Sequence, residues 1–128
     1  MEKRNPRILL ADDELHIRKM MGAVIKSMGF DVVAEAANGN EAVALFLKEK
    51  PDIALLDINM PIKTGIEALK EIIAASPDAC VIMLTSVSDL ETVQEVIKLG
   101  AAQYIRKDMQ LNEIKKIVAE TWREHNPG

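Results

Sequence analysis

The chain has 128 residues, 48% of them hydrophobic and 28% charged, and a formal net charge of −4. This composition is that of one globular domain and excludes a disordered chain or a disulfide scaffold, because a single cysteine, Cys80, cannot form an internal bridge. The acidic balance argues against nucleic-acid binding, and no apolar run approaches the roughly 20 residues that span a bilayer. The N-terminus lacks a signal-peptide pattern, so we expect a cytoplasmic location.

Five short apolar runs are the first regular feature along the chain. They are Ile8–Ala11, Val32–Ala34, Ile53–Leu56, Val81–Leu84 and a weaker one at Tyr104–Ile105. Each run is too short for a typical helix, and the three longest are apolar at every position, as parallel strands covered on both faces are. The runs therefore predict five strands of a buried sheet.

The segments between these runs have apolar residues at helical spacing. The recurring residues are Ile17, Met20, Met21, Val24, Ile25 and Met28; Val43, Phe46 and Leu47; Ile66, Leu69, Ile72 and Ile73; Val93, Val96 and Ile97; and Leu111, Ile114, Ile117 and Val118. Capping boxes at Thr64–Glu67 and Ser88–Glu91 mark helix starts, and Gly29 and Gly100 mark helix ends. Strict alternation of strands and helices predicts an α/β fold, a doubly wound parallel sheet with helices on both faces.

Polar side chains follow four of the five runs. Asp12–Asp13 follow the first, Asp57 the third, Thr85–Ser86 the fourth and Arg106–Lys107 the fifth. In a parallel sheet these ends share one edge, where ligands bind in open α/β sheets. Each residue alone has an ordinary explanation as a turn, a cap, a strand end or a solvated charge. Three carboxylates in one cleft, however, need a cation between them, and oxygen ligands favour Mg²⁺ before Ca²⁺.

These motifs together resemble the receiver domain of bacterial two-component response regulators. The matching segments are Leu10–Glu14, Leu56–Pro61 with Gly65, Leu84–Ser86 and Tyr104–Lys107. Any one segment is a weak signal, but all four occur in order and each closes a strand. The resemblance implies a single receiver domain over residues 1–128, with a core of about 7–122. It also implies a flavodoxin-like sheet of five strands in the order 2-1-3-4-5, with five helices.

The resemblance also implies a phosphoacceptor site. Asp57 matches the aspartate that takes a phosphoryl group from a histidine kinase, a phosphotransfer protein or a small phosphodonor. Asp12, Asp13, Asp57 and the backbone carbonyl of Asn59 match the Mg²⁺ ligands. An ionised Asp57 would be favoured by nearby positive charge, and the acyl phosphate it forms would be labile.

The remaining matched residues imply a switch. Thr85, the backbone N–H of Ser86 and Lys107 match the groups that bind the phosphoryl oxygens. Tyr104 matches a ring that turns inward with the threonine, although it could equally be a packed aromatic. The expected output face is the fourth helix, fifth strand and fifth helix, roughly 91–122, which would bind an unknown output protein. The resemblance leaves open a monomer or a phosphorylation-dependent dimer, without direct contact to nucleic acid or membrane.

The chain departs from the family pattern at Asp108, where most receivers have a proline after the lysine, and at Ser86, where Ala or Gly is common. Val87 matches a position that in the family helps tune water attack on the acyl phosphate. Because Val87 cannot hydrogen-bond water, it predicts slow to moderate dephosphorylation. Two other functions stay open. A haloacid-dehalogenase-like phosphohydrolase also uses a strand-end aspartate and Mg²⁺, but it usually wants a second aspartate where Asn59 stands. A receiver-like interaction module that is never phosphorylated is the other alternative. We expect no enzyme activity beyond assistance to the domain's own phosphorylation and dephosphorylation.

Overall fold

The computed structural model describes residues 5–86 and 90–125, and strands and helices alternate throughout. The elements are β1 (Arg7–Ala11), α1 (Leu15–Ser27), β2 (Asp31–Ala36), α2 (Gly39–Glu49), β3 (Ile53–Asp57), α3 (Gly65–Ala75), β4 (Val81–Thr85), α4 (Leu90–Lys98), β5 (Gln103–Arg106) and α5 (Leu111–His125). The predicted alternation is confirmed, and each strand extends slightly beyond its apolar run. The expectations for Val87 and for the cap at Ser88 fall outside the described residues.

The five strands form one parallel sheet in the order β2-β1-β3-β4-β5, so the predicted fold class and strand order are confirmed. Every position of β3 and β4 is buried, whereas β2 at the sheet edge is partly exposed. β1 and β3 are neighbours although β2 lies between them in the chain. The strand order therefore reverses at this pair, and the carboxyl ends of β1 and β3 form the crevice where such sheets bind ligands.

Two apolar clusters cover the two faces of the sheet. One joins the strands to α2, α3 and α4, through residues such as Phe46, Leu69 and Val96. The other joins them to α1 and α5, through residues such as Ile25 and Val118. Because neighbouring strand residues point to opposite faces, both clusters draw on the same strands. Among the described residues, no helix is both long and apolar enough to cross a membrane.

The helix-end predictions are confirmed where the structure describes them. The Thr64 hydroxyl accepts a hydrogen bond from the Glu67 N–H, and the Glu67 carboxylate accepts one from the Thr64 N–H, at 3.2 and 3.0 Å. Gly29 and Gly100 both have positive φ, 81° and 114°, after α1 and α4. The capping box matters most for the site, because it fixes the start of α3 just beyond the end of β3.

Candidate metal centre

Three carboxylates meet at the point where the strand order reverses. Asp12 and Asp13 follow β1, and Asp57 is the last residue of β3. One oxygen of each carboxylate lies within 4.8 Å of the others. Asp12 and Asp57 are almost wholly buried, at 1% and 3% exposure, while Asp13 is exposed. The structure thus brings together the three carboxylates that were predicted from the strand ends.

Lys107 reaches into this cluster from the end of β5. Its Nζ lies 2.9 Å from Asp12 Oδ2 and 3.1 Å from Asp57 Oδ2. Its own N–H donates to the carbonyl of Thr85 at 2.9 Å, which ties the loop after β5 to β4. Glu14 Oε1 lies 3.7 Å from the same Nζ, so a fourth carboxylate borders the site. Sequence reasoning assigned no role to Glu14, although it directly follows the acidic pair.

Burial and neighbouring charges shift the pKa of two members of this cluster. Burial, followed by the negative charge of Asp12, raises the pKa of Asp57 from 3.8 to about 6, although the Lys107 ammonium and the Asn59 N–H act in the opposite direction. Burial lowers the pKa of Lys107, but its contacts with the carboxylates of Asp12 and Asp57 outweigh burial and raise it. One ammonium therefore offsets only part of the negative charge at the site.

Asp12 is held so that one carboxylate oxygen remains available. Its N–H donates to the carbonyl of Ala36 at 3.0 Å, and its Oδ1 accepts from the Glu14 N–H at 2.9 Å. Among the described residues, no group hydrogen-bonds the buried Oδ2. The Lys107 ammonium lies 2.9 Å from this oxygen, and their contact is an ion pair without hydrogen-bond geometry. A buried carboxylate oxygen that accepts no hydrogen bond from the described residues, beside two other carboxylates, fits a hard cation such as Mg²⁺.

The chain after Asp57 folds back tightly over the end of β3. The Asn59 N–H donates to Asp57 Oδ1 at 3.2 Å, and the Gly65 N–H donates to the carbonyl of Ile58 at 2.9 Å. A Cβ at position 65 would overlap the carbonyl oxygen of Asp57, so only glycine fits this approach. The Asn59 side chain itself is exposed. The bond to Asp57 places the backbone N–H of Asn59 beside the cluster.

The rest of this loop is braced and carries one strained residue. The Lys63 N–H donates to the Pro61 carbonyl at 2.7 Å, which closes a three-residue turn around Ile62. Ile62 has φ of 70°, a conformation that β-branched residues avoid, and its side chain is 77% exposed. The Lys63 carbonyl accepts from the Gly39 N–H at 2.9 Å, and the Lys63 ammonium pairs with Glu71 of α3. The loop is therefore tied to α2 and α3.

The remaining predicted residues lie on the side of β4 and β5. Thr85 ends β4 beside β3 and is buried, and its hydroxyl donates to the carbonyl of Ser86 at 3.1 Å rather than toward the carboxylates. Ser86 is exposed at the same edge. Tyr104 in β5 is partly buried against the apolar cluster that joins the sheet to α2, α3 and α4. The structure thus places Thr85 and Ser86 at the carboxyl edge of the sheet and Tyr104 within β5.

The departure at Asp108 leaves the reach of Lys107 intact. None of the described peptide bonds is cis. Asp108 Oδ1 lies 3.0 Å from Arg106 Nε, an ion pair that spans Lys107 along the exposed side of the loop. The Lys107 side chain is only 19% exposed and contacts Asp12 and Asp57 from this loop. A proline after the lysine is therefore not needed for the lysine to enter the cluster.

Comparison with known proteins places this geometry in a family. The family model described as the response regulator receiver domain matches residues 8–119. The chain is 42% identical over 108 residues to the chemotaxis protein CheY of Listeria monocytogenes, covering 84% of this chain and 91% of that protein. It is 35% identical over 114 residues to sporulation initiation phosphotransferase F of Bacillus subtilis, covering 89% of this chain and 91% of that protein.

The fold comparison agrees. A chain from the crystal structure of the CheX–CheY–BeF₃–Mg²⁺ complex of Borrelia burgdorferi superposes with a TM-score of 0.87 and 29% sequence identity. The superposition covers 91% of this chain and 88% of that one. The match therefore extends over nearly all of the sheet and helices described above.

Proposed function

The chain belongs to the response regulator receiver domain family, and from this we propose that it is a phosphoacceptor switch in which Asp57 takes a phosphoryl group in a Mg²⁺-dependent step. Receiver domains are signalling modules of two-component systems. The proposed domain has its core at about 7–122, and its phosphodonor is a histidine kinase or a phosphotransfer protein. Such a function implies a cytoplasmic location.

The observation that carries this proposal is the buried carboxylate of Asp57, which lies between the ammonium of Lys107 and two other carboxylates. Asp57 is 3% exposed, with the Lys107 ammonium 3.1 Å from its Oδ2 and Asp12 and Asp13 beside it. Asp12, Asp13, Asp57 and the Asn59 carbonyl would hold Mg²⁺, which when bound neutralises charge on the carboxylates and on the phosphoryl oxygens. Phosphoryl transfer depends chiefly on such positioning and charge neutralisation.

The reaction at Asp57 is a simple displacement at phosphorus. An ionised carboxylate oxygen of Asp57 attacks, a bond from that oxygen to phosphorus forms, and the bond from phosphorus to the donor breaks. Lys107, already within contact distance of Asp57, pairs with an oxygen of the incoming group. Thr85 turns its hydroxyl from the Ser86 carbonyl to a phosphoryl oxygen, and the Ser86 N–H donates to another. The product is an acyl phosphate.

The proposed output follows from these rearrangements. Thr85 and Lys107 are joined through the backbone, since the Lys107 N–H donates to the Thr85 carbonyl at 2.9 Å. A displacement of both residues would therefore move the ends of β4 and β5 together. Tyr104 of β5 packs against the core and would respond to that movement. We propose that α4, β5 and α5 form the face that binds the output protein. Tyr104→Ala should leave phosphorylation intact and weaken that response, seen as smaller phosphorylation-dependent changes in hydrogen exchange over 91–122.

The test is intact-protein mass spectrometry after incubation with acetyl phosphate, with and without Mg²⁺. We expect a Mg²⁺-dependent gain of one phosphoryl group in the wild type and in Asp31→Asn, a control at an exposed carboxylate of β2, but not in Asp57→Asn. Mg²⁺ binding without a gain would indicate a receiver that requires its own kinase. If the protein neither binds Mg²⁺ nor gains a phosphoryl group, the proposal is overturned and an interaction module is favoured. Continuous release of phosphate from an aryl phosphate would favour the phosphohydrolase instead.

A further inference from the structure

We propose that Arg18 is a positioning residue for the metal site, which holds the main chain of Asp12 and so sets the affinity for Mg²⁺. The inference rests on the proposed function of the same site. Arg18 lies on the first turns of α1, and its side chain is only 16% exposed. Its Nη1 donates to the main-chain carbonyl of Asp12 at 2.6 Å, a short charge-assisted hydrogen bond.

This bond completes the restraint of Asp12. The Asp12 N–H is bound to Ala36, its Oδ1 to the Glu14 N–H, and its carbonyl to Arg18. Only Oδ2 lacks a hydrogen bond from the described residues, and it faces the cluster. Without Arg18 the peptide between Asp12 and Asp13 loses its partner and can rotate. Both carboxylates would then leave the arrangement in which their oxygens converge, because the two residues share that peptide.

Arg18 is itself oriented from the other side. Its Nε lies 3.4 Å from Oε1 of Glu35 in β2, although this buried Nε makes no hydrogen bond within the described residues. Glu35 is about half exposed, so this ion pair contributes little to holding the Arg18 side chain. The guanidinium thus runs from the edge strand β2 to the loop after β1. An ordinary structural ion pair between α1 and β2 would need only the Glu35 contact, and it would not explain the short bond to Asp12.

The direction in which removal of Arg18 changes the Mg²⁺ affinity distinguishes a positioning role from a purely electrostatic one. A guanidinium near the site repels a divalent cation, so if Arg18 acted by charge alone its removal would tighten Mg²⁺ binding. If Arg18 holds the ligand in place, its removal weakens binding. Residues that orient metal ligands typically contribute about 10- to 100-fold in metal affinity. The positioning effect is therefore expected to exceed the opposing effect of charge.

The experiment is calorimetric titration of the whole chain with Mg²⁺ at neutral pH and fixed ionic strength. Arg18→Met removes the donors and the charge but keeps an unbranched stem, and Lys19→Met removes the same charge from the exposed neighbouring residue. We expect Arg18→Met to weaken Mg²⁺ binding about tenfold or more at unchanged stoichiometry, and Lys19→Met to leave it unchanged or slightly tighter. Arg18→Lys, which keeps the charge and one donor group, should recover part of the affinity.

The stoichiometry distinguishes positioning from instability. A variant that merely unfolds loses binding sites, whereas a mispositioned ligand raises the dissociation constant of every site. Phosphorylation by acetyl phosphate should also recover toward the wild-type rate at saturating Mg²⁺. If Arg18→Met does not fold, Arg18→Lys decides, because it leaves the charge unchanged: weaker Mg²⁺ binding than in the wild type supports the inference, and wild-type affinity overturns it.

The two proposals fail in different ways. Wild-type protein that binds Mg²⁺, together with Arg18→Met that binds it as tightly or more tightly, overturns the role of Arg18 and leaves the phosphoacceptor proposal standing. Wild-type protein that binds no Mg²⁺ overturns both.

Discussion

Replacing Asp57 with Asn should stabilise the metal-free protein at neutral pH. Asn has nearly the same shape as Asp, and its amide oxygen can still accept the Asn59 N–H that contacts Asp57 Oδ1. The substitution removes a buried negative charge that lies beside the carboxylate of Asp12. Because this charge is disfavoured in the folded protein, its loss should raise the free energy of unfolding even though a functional group is lost.

The magnitude follows from the pKa of Asp57, which is raised from 3.8 to about 6. One pKa unit corresponds to about 1.4 kcal/mol, so the ionised carboxylate costs the fold about 3 kcal/mol. Below the unfolded pKa the carboxyl is protonated in both states and costs nothing. As pH rises from the unfolded pKa toward the folded one, only the unfolded state ionises and the fold is penalised increasingly. Above about 6 both states are ionised and the penalty is complete.

The assay is urea unfolding in the presence of a chelator, from about pH 4 to about pH 8, for the wild type, Asp57→Asn and the control Asp31→Asn. The difference in unfolding free energy between Asp57→Asn and the wild type should be small at the acidic end. It should grow to as much as about 3 kcal/mol at neutral pH. Asp31 is exposed at the start of β2, so its substitution should change little at any pH. Added Mg²⁺ should stabilise the wild type by mass action and so reduce the difference in unfolding free energy between Asp57→Asn and the wild type.

Two results would refute this reasoning. The first is an Asp57→Asn protein that is no more stable than the wild type at neutral pH without metal. The second is a gain in stability that does not change with pH, since a gain from packing alone would not follow the titration of the carboxyl group.

Three other substitutions test further parts of the site. Lys107→Met removes an ammonium that competes with a cation for the carboxylate of Asp57 and its neighbours. Mg²⁺ should therefore bind about fivefold tighter in a calorimetric titration, while phosphorylation slows. Unchanged affinity for Mg²⁺ would contradict this competition. Gly65→Ala should lower the unfolding free energy by about 3 kcal/mol, because its Cβ would overlap the Asp57 carbonyl; a loss well below 1 kcal/mol would show that the loop can yield. Ile62→Gly should raise the unfolding free energy by about 1 kcal/mol by relieving a positive φ, and a loss of that size would argue against strain.

The arrangement of the strands could be predicted because it depends on short-range patterns. A strand covered on both faces must be apolar at every position, and Ile53–Leu56 and Val81–Leu84 satisfy this. The prediction ended β3 one residue early, because backbone pairing with Leu84 continues through Asp57 regardless of its charge. The convergence of the carboxylates followed from the same logic, since parallel strands share their carboxyl edge.

The contacts of Arg18 and Glu14 could not be predicted, because they depend on where distant elements come to lie. Arg18 has the pattern of any polar residue on an amphipathic helix, and nothing in its spacing indicates that it reaches the carbonyl of Asp12. Glu14 likewise resembles an ordinary residue before a helix, but the loop after β5 brings Lys107 within 3.7 Å of it. The direction of the Thr85 hydroxyl, toward Ser86, is a local rotamer choice that the sequence does not encode by pattern.

The contacts around Asp57 restrain its two sides unequally. On one side Gly65 leaves no free space against the Asp57 carbonyl, and Lys63 is tied to both Gly39 and Glu71. On the other side Lys107 holds its place through ion pairs and one backbone bond to Thr85. A displacement of the Asp57 side chain would meet more resistance toward Gly65 than toward Lys107. We therefore expect motion to travel toward β4 and β5, while α3 acts as the fixed support.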